Sequence, residues 1–151
     1  MITNFADRIK AIEEYIVSML EAVDYEQEMK QVVFGERARR DDLPLILVIP
    51  GDAVQGGDAI ARAPVIREEW KWTIAVIAIV ESNDIDKGRV DVEQLAIKAG
   101  SAFLQDRTLN GNIQDLTRTR YRPRGRVELE GETLYTSAME IELIFCNKEE
   151  I

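Results

Sequence analysis

The segment Glu69 to Val80, EWKWTIAVIAIV, constrains the fold more than any other part of the chain. It opens as an alternation: Trp70, Trp72, Ile74 and Val76 fall on one side, Lys71 and Thr73 on the other. That is the period-two pattern of a strand with one buried face. Farther along, both sides become apolar. Such a strand belongs in the middle of a sheet, covered on its second side by helix or by another subunit.

The flanking elements follow from changes of period. Phe5, Ile9, Ile12, Ile16, Leu20 and Val23 recur at three-to-four spacing, with Asp7, Lys10, Glu13, Glu14 and Glu21 between them. The spacing predicts an amphipathic helix over about residues 3–23. A short strand is expected from Met29 to Phe34, ended by Gly35, and a buried one from Leu43 to Ile49, ended by Pro50-Gly51. After the turn signal SNDIDKG, residues Val92, Leu95, Ala96, Ala99, Ala102 and Phe103 return to helical spacing. Asp91 and Gln94 are the expected capping pair, and the end falls near Gln105. The last third is β again: Asn112 to Arg126 alternates loosely, Gly131 marks a turn, and Met139, Ile141, Leu143 and Phe145 alternate with polar residues. The order predicts an α+β domain, with an antiparallel or mixed sheet of about four strands and two helices packed on one face. With 151 residues and 46% hydrophobic content, the chain suits a single domain, residues 1–151, with a real core.

Gly51 to Pro64, GDAVQGGDAIARAP, is rich in glycine and alanine and presents no core face, so a flexible loop is expected at about 51–64. It does not read as a phosphate cradle, because no Gly-Lys-Ser/Thr follows and no helix start is evident.

Residue types that carry catalysis are scarce. The chain has no histidine, which removes the commonest general base and metal ligand. A serine or cysteine nucleophile would need a lysine or carboxylate as base, and nothing in the pattern supplies one. Cys146, the single cysteine, sits in the apolar alternation near the chain end and reads as a core or near-core thiol, with no intrachain disulfide to form. Adjacent carboxylates at Glu13-Glu14, Asp41-Asp42, Glu68-Glu69 and Glu149-Glu150 read as solvated surface. A small metal-dependent nuclease would draw on Asp52, Asp58 and Lys71, at unspecific spacing. No cofactor is expected, and the chain is expected not to be an enzyme. The 28 acidic and 19 basic residues give a net charge of −9, which disfavours general attraction to nucleic acid or anionic membrane. Charges inside the N-terminal amphipathic pattern argue against a signal peptide or membrane span, so the chain reads as cytosolic.

The segment Gln105-Asp106-Arg107-Thr108-Leu109-Asn110-Gly111-Asn112-Ile113, following Ala102-Phe103-Leu104, resembles the helix-to-strand passage of tail terminator and tail completion proteins of long-tailed bacteriophages. The final strand, Ala138-Met139-Glu140-Ile141-Glu142-Leu143, is similar to that family's closing strand, and the order of elements is similar along most of the chain. The Gly51 to Pro64 stretch matches no feature of the family. The resemblance implies a structural virion protein, a minor tail protein of a phage or prophage. It would act as a homo-oligomeric ring, commonly a hexamer, that caps the tail tube and joins it to the head connector. Its expected partners are therefore other copies of itself, the tail tube protein and head-tail connector proteins, with the virion tail and the host cytoplasm during assembly as its locations. Another head-tail joining or virion structural component is the alternative within the same class.

RTRYRPRGR supplies the candidate functional residues: Arg118, Arg120, Arg122, Arg124 and Arg126, at every second position of an extended segment. Regular alternation would put all five on one face, with Tyr121 on the other. Three readings stay open. The row is a charged edge strand that prevents edge-to-edge pairing, with Pro123 and Gly125 interrupting the ladder. It meets acidic residues of an adjacent subunit. Or it lines a ring lumen through which DNA passes.

Overall fold

The computed structural model describes residues 4–35, 43–55, 60–62, 65–129 and 131–150. Helix α1 is Phe5–Glu21; strands β1, β2, β3 and β4 are Gln31–Phe34, Leu45–Gln55, Ile60–Arg62 and Val65–Glu81; helix α2 is Ile85–Gln105; and β5 and β6 are Asp115–Leu129 and Glu132–Glu150. The fold is α+β, with a six-stranded mixed sheet in the order β1-β2-β4-β6-β5 and β3 paired beside β4. The β1–β2 pair is parallel and the other pairs are antiparallel.

Register explains the core. Trp72, Ile74, Val76, Ala78 and Val80 of β4 stand opposite Leu143, Ile141, Met139, Ser137 and Tyr135 of β6, and all of them are buried. Ile46 and Val48 of β2 continue the same face. Onto it pack Ile12, Ile16 and Leu20 of α1 and Val92, Leu95, Ala96, Ala99 and Phe103 of α2, in one cluster. Each fully buried Ile, Leu, Val or Phe side chain of this cluster contributes about 1.5–3 kcal/mol relative to exposure. Both helices therefore cover one face, and the Tyr15 hydroxyl of α1 donates to the Asp106 carboxylate after α2 to tie them together.

α1 follows its expected spacing, with the Asn4 side chain accepting from Asp7 N–H at 2.8 Å as the cap. α2 starts earlier than Asp91: SNDIDKG is its N-terminus, and Asp84 Oδ1 accepts from Asp86 and Lys87 N–H at 3.0 and 3.2 Å. Gly88, which reads as a turn, is a helical contact point. A Cβ there would come within 2.4 Å of the buried Tyr135 ring.

The sheet has more than the expected four or so strands, and the stretch read as a loop is largely strand, lengthening β2 and adding β3. β2 runs on to Gln55, with Ala53, Val54 and Gln55 pairing with Trp72, Lys71 and Trp70. Ile60–Arg62 pairs with Val65–Arg67, while residues 56–59 and 63–64 lie outside the described residues. Gly51 sits at a β-bulge between Pro50 and Ala53. Its carbonyl accepts from Trp72 Nε1 at 3.0 Å, and a Cβ on it would stand 2.6 Å from the Thr73 carbonyl oxygen. The glycine marks a close backbone approach within a strand.

Candidate functional site

The sheet's second face is left open by both helices. Leu47 and Ile49 of β2, Ala75, Ile77 and Ile79 of β4, and Ala138 and Ile144 of β6 point there, all half-buried and none in the cluster the helices share. Leu47, Ile77 and Ala138 form one cross-strand row. The apolar second side of EWKWTIAVIAIV is thus real, and no helix covers it among the described residues.

The five arginines all lie on β5, at one edge of the sheet, but they do not share a face. Arg118 stands opposite Ile141, Arg120 opposite Glu140, Arg122 opposite Ala138 and Arg126 opposite Tyr135. Two bulges intervene, one between Arg118 and Arg120 and one between Arg122 and Gly125. Each inserts one extra residue and inverts the alternation. Pro123, which has no N–H for the ladder, falls in the second. Arg120 and Arg122 consequently join the open face, whereas Arg118 turns toward Gly100 of α2 and Arg126 toward Arg89 and Tyr135. The Arg124 side chain lies outside the described residues. Tyr121 is opposite Met139 on the helix side, away from Arg120 and Arg122 as expected but on the same side as Arg118 and Arg126, and its oxygen accepts from Ser137 Oγ at 3.2 Å.

Arg120 and Arg122, with Ala75, Ile77, Ala138 and Glu140, enclose a depression of about 220 Å³. Neither guanidinium has an ion-pair partner among the described residues. Glu140 accepts instead from Thr119 Oγ1 at 3.4 Å. Arg126 pairs with Glu128 at 2.7 Å. The site therefore places apolar area beside two exposed guanidiniums and the Glu140 carboxylate, a mixed surface that can take up a partner's apolar and charged groups.

Other sequence candidates are not brought together. Asp52 is exposed at the bulge of β2, Lys71 is exposed on β4, and Asp58 lies outside the described residues. Among the described residues no three of histidine, cysteine, aspartate and glutamate are grouped to hold a metal ion. Cys146 is half-buried on the open face, opposite Glu69. No helix among the described residues is long and apolar enough to cross a membrane.

Sequence reasoning missed Val90 and Ile97 of α2, which are 52% and 49% exposed. Their signal was present, since both fall outside the helix's core-facing spacing. No protein-family model matches the chain, and no curated protein matches it.

Proposed function

We propose that the chain is a structural tail protein of a long-tailed phage or prophage: a tail terminator that assembles as a ring, commonly of six copies, caps the tail tube and joins it to the head connector. One observation carries the reading beside the resemblance. Among the described residues the helices cover one face of the sheet only, and the other face presents an apolar row next to Arg120 and Arg122, which have no ion-pair partner among those residues. A surface of that kind is buried by assembly and offers little to a reaction. The acidic remainder of the molecule supplies partners for the arginines when identical chains meet.

The test is sedimentation of the purified protein, alone and with purified tail tubes. Rings, formed either freely or on the tubes, are the expected result. A chain that stays monomeric and ignores tubes overturns the assignment.

A further inference from the structure

A second cleft lies on the helix side of the sheet, between the start of α2 and the C-terminal part of β5. Ile85 and Arg89, one turn apart on α2, line it together with Gly125 and Arg126 of β5 and Tyr135 of β6, around a volume of about 360 Å³. The core fixes these elements against one another. Gly88 lies so close to the Tyr135 ring that a Cβ on it would come within 2.4 Å, and Arg126 stands opposite Tyr135 in the β5–β6 ladder.

Three hydrogen-bond donors meet at this cleft. Arg89 is half-buried, and its guanidinium has neither an ion pair nor a hydrogen bond among the described residues. Arg126 gives Nη2 to Glu128 at 2.7 Å, which leaves its Nε and Nη1. Tyr135 is only 2% exposed, yet its hydroxyl has no hydrogen-bond partner among the described residues. Such groups gain most from an acceptor that completes them. The N–H groups at the start of α2 take no part, because Asp84 already accepts from those of Asp86 and Lys87. Donors arriving from a helix and two strands do not share a plane, which suits the three terminal oxygens of a phosphate better than the two of a carboxylate. The cleft is larger than a phosphate alone and falls within the roughly 300–1,000 Å³ of small-ligand pockets. Ile85, 48% exposed, gives an apolar wall to whatever the phosphate is attached to. We infer that this cleft binds the phosphate group of an organic phosphate. Arg89 and the Tyr135 hydroxyl donate to its oxygens, Arg126 adds charge, and Ile85 meets the organic part. The site is separate from the open sheet face and does not depend on association between copies.

Calorimetric titration at fixed ionic strength tests it, with ribose 5-phosphate, a short DNA duplex and acetate as probes. Ribose 5-phosphate should bind saturably. Arg89→Gln should weaken that binding about tenfold or more, as expected for the loss of a hydrogen bond to a charged group. Tyr135→Phe, which keeps the ring against Gly88, should weaken it by a smaller factor. Melting curves establish that the variants are folded, and Arg126→Gln, at an exposed position, carries the test should Arg89→Gln not fold. Binding of the duplex but not of the sugar phosphate, again lost in Arg89→Gln, keeps the site and assigns its phosphate to a nucleic-acid backbone. Heats of dilution alone with both phosphate probes overturn the inference. So does binding that Arg89→Gln leaves unchanged, or acetate bound as tightly as ribose 5-phosphate.

Discussion

Leu143 shows how single positions hold the molecule together. It is fully buried, faces Trp72 across the β4–β6 ladder, and lies on the side that receives both helices. The Leu143→Ala variant should lose about 2–5 kcal/mol, because the removed methyl groups leave a cavity that a sheet held on both sides by ladder partners closes only in part. A denaturant midpoint equal to wild type would mean that the closing strand does not face the helices. This position was legible, since the alternation of Met139, Ile141, Leu143 and Phe145 states which side is buried. Gly51 and Gly88 were not. Each reads as a turn residue, but each is glycine because a neighbour comes too near for a Cβ, the Thr73 carbonyl in one case and the Tyr135 ring in the other. Only the fold reveals those neighbours.

Among the elements, those with a long unbroken period were the most legible. α1 and the body and end of α2 follow from three-to-four spacing, and β4 from its alternation. Edges with irregular ladders were not. The arginine row keeps a perfect two-residue spacing in sequence, yet the bulges of β5 split it between two faces, since spacing reports the face only while each residue has one partner. The passage from α2 into β5 is fixed by a local pair. Arg107 Nε donates to Asp115 Oδ1 at 2.9 Å, and its Nη2 donates to Asp115 Oδ2 at 3.3 Å and to the Leu116 carbonyl at 3.2 Å. The Arg107 guanidinium, helped by the Leu116 N–H, holds the Asp115 carboxyl below its ordinary value of 3.8. A depressed carboxyl stabilises the fold fully above that ordinary value, and the contribution is lost as pH falls through the folded-state value. The urea midpoint of wild type should therefore exceed that of Asp115→Asn at neutral pH, and the difference should shrink in that acid range. A difference that stays constant from neutral pH down through it would show that the pair does not couple the strand to the fold.

Over the whole molecule, charge and apolar surface are distributed in a way that only the topology brings out. With a net charge of −9, two copies repel at long range, so association requires a short-range apolar contact with locally paired charges. In the assembly proposed above, the open sheet face would provide that contact, and of the described arginine side chains of the row only Arg120 and Arg122 lie on it. Arg118 and Arg126 are exposed on the helix side of β5, where Arg126 already has Glu128. Replacing Arg118 and Arg126 together by Glu should leave the melting transition within about 0.5 kcal/mol per site of wild type, as is usual for exposed positions. The oligomer should also be unchanged, whereas replacing Arg120 and Arg122 together by Glu should weaken it. A lumen lined by the row as a whole predicts otherwise, since both reversals would then spare the ring and both would impede passing DNA. Sedimentation of the two double variants side by side separates these outcomes. Loss of the oligomer on reversing Arg118 and Arg126 would mean that the whole edge of β5, rather than its open face, makes the contact between copies.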